Sequence, residues 1–187
     1  MRTGELLEGA AAGFGTRLAA VGDRWTAPTP DDAWDVRALV NHVTGELLWL
    51  VPMLEGKTIA DVGNSLDGDI LGADPVATWD GAVATASAAI KAVEASATVH
   101  LSYGDRTAEE YLTEVGADVL IHTWDLARAV GADERLDPGL VDVVAAWFPD
   151  VEPMWRGAGV IAARPAVPAG ADAQTQLLAT FGRDTSA

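Results

Sequence analysis

Two histidines and a nearby aspartate are the residues of this sequence whose types and spacing best fit a metal site. His122 follows Asp118 by four residues within a helical pattern, so the two side chains lie one turn apart on the same face. His42 lies in another helical segment, at the edge of an apolar face that includes Leu39 and Val43. Imidazole and carboxylate groups on facing helices are a known way for a helix bundle to hold a metal. We therefore expect His42, His122 and a carboxylate, most simply that of Asp118, to bind a divalent cation.

The pattern around His122 indicates that its ring needs a partner. Val115, Val119 and Leu126 share its stripe on the helical wheel, which places the imidazole toward the core. A buried polar group without a partner is costly, so a salt bridge, a buried water cluster or a cation must compensate. No Lys or Arg is expected near either histidine stripe, because Arg128 points to another side of its helix, and this favours a cation. Two imidazoles and one carboxylate suit zinc, iron, nickel or manganese, with positions left for water or substrate.

Three further polar residues lie close to these segments. Glu46, one turn after His42, is a candidate additional ligand or general base, with a solvated glutamate as the alternative. Asp125 follows His122 by three residues and is a candidate to orient its imidazole, or to bond a neighbouring loop. His100 lies outside any helical face and is expected at the surface or in a loop, with completion of the site as the alternative. Three tryptophans are candidate walls of a pocket above the metal: Trp34, Trp49 and Trp124.

Hydrophobic periodicity and capping residues predict the helices that position these side chains. Asp74 and Pro75 mark one helix start, a Thr107–Glu110 capping box marks another, and Gly131 marks an end. Almost no strand signal is present, so the predicted fold is all-α, a four-helix bundle. Long helices are expected over residues 4–21, 35–54, 74–93 and 108–130, with a fifth over residues 137–148.

The remaining segments are predicted to be connections and a tail. Residues 56–73 form a long loop rich in Gly and Asp, and residues 98–103 are short and somewhat β-like, as in an extended linker. Residues 149–187 are expected to be an irregular C-terminal appendage with a short helix near residues 177–181. The length fits a single domain over residues 1–187, with its core at about residues 4–148.

Composition excludes several functions. The 28 acidic residues outnumber the 12 basic ones, and a net charge of −16 makes nucleic acid and anionic membranes poor partners. No cysteine is present, so the chain has no disulfide, thiolate ligand or cysteine nucleophile. Neither a signal-peptide core nor a membrane-length apolar run is found, which predicts a cytoplasmic protein. Phosphate-binding glycine loops and nucleophile elbows are also missing from the sequence.

Two motifs resemble a known family. The segment from Trp34 to Val43, Trp-Asp-Val-Arg-Ala-Leu-Val-Asn-His-Val, is similar to the second helix of the DinB-like superfamily. The segment Asp118-Val-Leu-Ile-His122-Thr-Trp-Asp-Leu-Ala resembles a motif of an actinobacterial branch, which is similar to the N-terminal domain of mycothiol-dependent maleylpyruvate isomerase. Residues 177–184 are like the end of the same metal-binding subfamily.

This resemblance implies a fold and a ligand set. The fold would be an up-down-down-up four-helix bundle with a short C-terminal helix and an irregular tail. The metal, with zinc as the first choice, would be held by His42, residue 118 and His122. The family pattern has glutamate where this chain has Asp118, whose side chain is one methylene shorter. Aspartate still ligates metals, and Glu46 or a water would make up a missing contact.

The resemblance also implies a class of reaction. It predicts a metal-dependent enzyme linked to mycothiol or a similar small thiol, acting as a transferase or isomerase. The open metal position would bind the thiol sulfur and lower its pKa, while Glu46 or Asp125 would move protons or orient the ligand. The isomerase carries an additional C-terminal domain that the segment after the fourth helix is too short to form, so its specific activity is not expected here.

Two other readings stay open on the sequence. One is a non-catalytic module that binds a metal or small ligand, and the other is a bundle whose buried His and Asp residues are purely structural. The expected partners are a small-molecule thiol or substrate, without nucleic acid or membrane. A second copy of the chain in a homodimer is a further expectation.

Overall fold

The helices form largely where periodicity and capping residues predict them. The computed structural model describes residues 2–31 and 33–186, and its architecture is mainly helical. The elements in chain order are α1 Glu5–Leu18, α2 Val36–Leu54, α3 Ile59–Val62, α4 Pro75–Ala92, β1 Thr98–Leu101, β2 Gly104–Thr107, α5 Ala108–Val130, α6 Pro138–Trp147, a 3₁₀ turn Phe148–Asp150, α7 Glu152–Gly157 and α8 Ala173–Thr180.

Local caps fix the ends of the helices that carry the site. The Asp35 side chain accepts a hydrogen bond from the Ala38 amide at the start of α2. Thr107 and Glu110 form the predicted capping box at the start of α5, with both reciprocal bonds present. Gly131 ends α5 in the left-handed conformation, with a φ of 64°, which glycine adopts without strain. These contacts confirm the predicted bounds of α5.

Helix α5 is the most buried helix, and the other long helices pack around it. Helix α1 runs along α5, α2 packs against both α4 and α5, and α1 also contacts α4. Gly116 permits a close approach of α1 to α5, because a Cβ atom there would lie 2.8 Å from Cγ of Leu6 and 3.0 Å from the backbone nitrogen of Leu7. Within the described residues, no helix is both long enough and apolar enough to cross a membrane.

A β-hairpin lies where the sequence predicts an extended linker and almost no strand. Strands β1 and β2 pair antiparallel, with Thr98 opposite Thr107 and Leu101 opposite Gly104. Strand β1 confirms the β-like character predicted for residues 98–103. The pairing with β2 was not predicted, because each strand has only four residues and lacks a clear apolar alternation. The hairpin leads directly into α5, since Thr107 ends β2 and also caps the helix.

The long loop before α4 is tied to α2. It contains the one-turn helix α3, which was not predicted, with its own capping box of Thr58 and Asp61. Asn41 donates to the carbonyl of Gly68 and accepts from the amide of Ile70. These two bonds attach the loop to the helix face next to His42.

The C-terminal segment is more regular than predicted. Helix α7 lies in the part expected to be irregular, and α8 begins at Ala173 instead of near Leu177. Arg156 of α7 bonds to Glu152 one turn earlier and to the carbonyl of Thr180, while the rings of Phe148 and Phe181 stack at 4.0 Å. These contacts depend on residues distant in sequence, so local periodicity did not reveal α7.

Candidate metal centre

His42, Asp118 and His122 converge between α2 and α5. Nε2 of His42 lies 3.2 Å from Oδ2 of Asp118, and Nε2 of His122 lies 3.4 Å from Oδ1 of the same carboxylate. One donor atom from each of the three residues lies within 4.8 Å of the other two. The structure therefore brings together the three residues that the sequence predicts as metal ligands.

This donor set fits a divalent cation. Two imidazole nitrogens and one carboxylate oxygen from facing helices are typical of zinc and other transition-metal sites with an open position. The His122 side chain is only 6% exposed, whereas those of His42 and Asp118 keep 29% and 28% of their surface. The site is thus closed behind His122 and accessible beside the other two residues.

A buried ion pair orients His122 from behind. Nδ1 of His122 lies 2.8 Å from Oδ2 of Asp125, whose side chain has no exposed surface. Arg183, near the end of the chain, donates to both oxygens of Asp125, through Nε at 3.0 Å and through the terminal nitrogen at 2.8 Å. A carboxylate on one ring nitrogen fixes the tautomer and leaves the other nitrogen for a metal. Arg183 also corrects the expectation that no arginine lies near these histidines, because it is brought in from 58 residues away.

The charges of this cluster reinforce one another. Burial opposes protonation of His122, but the facing carboxylates of Asp118 and Asp125 outweigh it and raise the pKa of the ring to about 10. Burial also opposes ionisation of Asp118, yet His122 and His42 lower its pKa overall. The pKa of Asp125 is likewise lowered despite burial, by its bonds to His122 and Arg183. Without a metal the cluster is therefore held as an ionic network.

Aromatic rings cover one side of the histidines. The Trp34 ring lies 4.6 Å from the ring of His42 and 5.4 Å from that of His122. Trp124 is buried on another side of α5, beneath the guanidinium of Arg128. Of the three tryptophans proposed as walls, Trp34 is the one in ring contact with the site histidines among the described residues.

A cavity of about 300 Å³ opens beside His42 and Asp118. Helices α2 and α5, the hairpin turn and helix α7 with the residues after it supply its walls. The sequence did not point to the hairpin or α7 as part of the site, because both reach it only through tertiary packing. The lining residues are His42, Glu46, Tyr103, Tyr111, Glu114, Val115, Asp118, Met154, Trp155, Ala158 and Val160.

Glu46 and Glu114 differ in how their carboxylates are satisfied. Glu114 accepts a short hydrogen bond from the Tyr103 hydroxyl and lies 3.4 Å from Nε of Arg106. Glu46 has no hydrogen-bond or ion-pair partner among the described residues, and burial together with Asp118 raises its pKa. It does not belong to the group of three converging donors. Its position in the cavity wall fits a residue that contacts a bound ligand. It fits less well a residue that would replace Asp118 as a metal ligand.

His100 stands apart from the site, as expected. Its ring on β1 is 44% exposed, and Nδ1 pairs with Asp105 across the hairpin at 2.9 Å.

Fold and site define a mainly helical protein with a candidate two-histidine, one-aspartate metal centre at the edge of a cavity. A family model described as the mycothiol maleylpyruvate isomerase N-terminal domain matches residues 7–127, so the chain belongs to that family. This finding confirms the resemblance drawn from the two histidine motifs.

Similar proteins include uncharacterized proteins of Mycobacterium tuberculosis from strains CDC 1551 / Oshkosh and ATCC 25618 / H37Rv. Each is 33% identical over 156 residues, which cover 78% of this chain and 78% of the relative. No solved structure matches the chain significantly.

Proposed function

We propose that this protein is a divalent-metal-dependent enzyme that acts with a small thiol of the mycothiol type, as a transferase or isomerase. One observation carries the proposal: the side chains of His42, Asp118 and His122, which could hold a metal, converge, and two of them, His42 and Asp118, line a cavity large enough for a small substrate. Membership in a family named for a mycothiol-dependent isomerase supports the thiol. The absence of cysteine in the chain means that the thiol must come from outside.

The proposed roles divide between a ligand set and its supports. His42, Asp118 and His122 would hold the metal, with zinc as the first choice. A bound divalent metal would supply the chemistry of lowering the pKa of a thiol or water next to it. Asp125 is proposed to position His122 and not to exchange protons with the substrate, because it is fully buried and does not line the cavity.

Glu46 is the proposed proton acceptor. Its carboxylate lines the cavity next to His42 and Asp118 and has no described partner. A general base must lie within hydrogen-bond reach of the proton that it takes from a ligand, and a carboxylate in the cavity wall meets this condition. Burial and the charge of Asp118 raise the pKa of Glu46 above that of an ordinary glutamate. A general base works best when its pKa lies near the working pH, so this shift favours the role.

The finer fold assignments belong to the same proposal. We assign the four long helices to the up-down-down-up arrangement of DinB-like proteins and residues 1–187 to one domain. The pairwise packing of α1 with α5, of α2 with α4 and α5, and of α1 with α4 supports this arrangement.

Metal analysis of untagged protein tests the first half of the proposal. Near-stoichiometric metal is expected in the purified protein and in a His100→Ala control, which removes an exposed histidine. His122→Ala should lose the metal. Metal-free wild-type protein that binds no added zinc would contradict the metal site and favour a purely structural cluster.

Thiol binding tests the second half. Cobalt-substituted protein titrated with mycothiol should develop a sulfur-to-metal charge-transfer absorption, and zinc-loaded protein should gain thermal stability. Bacillithiol and glutathione serve as comparison thiols. Stoichiometric metal without a response to any thiol would favour the alternative, a non-catalytic metal- or small-ligand-binding module.

A further inference from the structure

The cavity beside the metal centre has an apolar mouth. Tyr103, Met154 and Val160 are three of the five large hydrophobic side chains that the described part of the chain exposes, and all three line this cavity. Val115 and Trp155 continue the apolar surface inward. Exposed apolar side chains gathered around one opening mark a place where an apolar partner is bound.

The charges that face this cavity are negative. Glu46, Glu114 and Asp118 line it, and no Lys or Arg is among its lining residues. Arg106 is the nearby cation, but it is engaged by Glu114, by the Tyr103 ring at 5.2 Å and by the Met154 sulfur at 3.8 Å. The cavity therefore lacks the fixed positive charges with which proteins bind carboxylates.

A bound metal would not reverse this balance. The two positive charges of a divalent ion would be offset by Asp118, which would ligate it, and by the thiolate that the proposed function places beside it. Glu46 would then face the cavity without a positive partner. The rest of the wall then presents hydrophobic and aromatic surface together with the neutralised Arg106–Glu114 pair. A carboxylate ligand would lie beside Glu46 without a positive partner in this setting, which is costly.

We propose that the cavity binds an apolar molecule whose polar end is neutral or cationic and faces Glu46, and that it discriminates against carboxylates. This inference rests on the proposed function for the identity of the cavity as the substrate site. It separates the reaction of this protein from one on a dicarboxylate such as maleylpyruvate. The reacting partner of the thiol would accordingly be an uncharged or amine-bearing apolar electrophile.

Three ligands of one shape test the proposal: benzamidine, benzamide and benzoate, which are cationic, neutral and anionic. The chain has three methionines, so NMR of protein with isotope-labelled methionine methyl groups gives few signals. Met154 lines the cavity, whereas Met53 is buried in the core and serves as an internal control. The Met154→Leu variant assigns its signal.

In metal-free protein, where benzoate cannot coordinate a metal, benzamidine and benzamide should shift the Met154 signal and leave that of Met53 unchanged. Benzoate should bind at least ~10-fold more weakly than benzamide, because its charge meets like charges at short range. Glu46→Gln should remove the advantage of benzamidine over benzamide. Glu55→Gln, an exposed glutamate just after α2, should preserve it.

Two results would overturn the inference. One is benzoate binding as tightly as benzamide, and the other is no shift of the Met154 signal by any of the three ligands. The experiment is independent of the proposed function, because that function is tested by metal content and thiol response. Stoichiometric zinc with a preference for benzoate would remove this inference alone, and absent zinc with the expected ligand order would remove the metal enzyme alone.

Discussion

The contact between Arg183 and Asp125 connects the segment after α8 to the candidate metal centre. Replacing Arg183 with methionine keeps much of the apolar stem and removes the charged donors. Asp125, without any exposed surface, would keep the His122 ring as its remaining described side-chain partner. Phe181 would lose a bond to its carbonyl oxygen as well. The change therefore tests a buried carboxylate that loses its arginine partner and keeps the contact with His122.

The expected loss of stability follows from the burial of this pair. Removing one partner of a buried ion pair costs about 3–5 kcal/mol, because the other charge is left uncompensated. Arg183 is 12% exposed and also lies 3.8 Å from Asp31, so water reaches one side of it. We therefore expect a loss of about 2–4 kcal/mol in the free energy of unfolding.

The effect on the metal is a separate expectation. Asp125 positions the His122 ring, and removing such supporting partners lowers metal affinity by about 10- to 100-fold. Arg183→Met should fall in this range, measured by competition with a chromophoric zinc chelator. Arg183→Lys should lie between Arg183→Met and the wild type, because lysine restores the charge but not the two-pronged contact.

The surface pair Arg135–Asp133 provides a matched control. It has a similar two-pronged geometry, with contacts of 2.9 and 2.7 Å, but its arginine side chain is 87% exposed. Arg135→Met should change neither stability nor zinc affinity appreciably, because water screens exposed pairs. Unchanged zinc affinity in folded Arg183→Met would refute the positioning role. Unchanged stability would refute the reasoning about the buried pair.

Three further predictions concern the cluster and the packing beneath it. In the metal-free protein the pKa of His122 is raised to about 10, so its protonation stabilises the fold below pH ~6.5. That contribution is lost as the pH rises toward about 10, by at most about 1.4 kcal/mol per pH unit. Urea unfolding at a series of pH values should show this loss of stability in the wild type and not in His122→Gln. Gly116→Ala should lower the free energy of unfolding, measured with urea, by about 1–3 kcal/mol, because the added Cβ would press on Leu6. Gly81→Ala, on the open surface of α4, should instead raise it by up to about 1 kcal/mol. Asp118→Asn should lose zinc in elemental analysis and Asp118→Glu should retain it; equal zinc content in both variants would contradict ligation by residue 118.

Much of the site could be predicted because its pieces are local. Asp118 and His122 lie one helical turn apart, and the periodicity of α5 alone places them side by side. The capping box at Thr107 and the glycine at residue 131 fix where that helix begins and ends. Spacing along one helix determines the side on which each side chain points, but it does not determine which carboxylate lies close to His42 on another helix.

Tertiary structure made that choice and added what spacing cannot encode. It brought Asp118, and not Glu46, into the group of converging donors, and left Glu46 facing the cavity. It also enclosed the site with Tyr103 from a short hairpin and Trp155 from α7, elements whose sequences lack a long periodic pattern.

The amino-acid sequence by itself thus determined the long helices and the inward faces that carry His42 and His122, because caps and hydrophobic periodicity act between near neighbours. Only the folded chain decided that Arg183 neutralises Asp125 across 58 residues. An ion pair between distant residues leaves no periodic trace, since its two members meet only after the helices between them have packed.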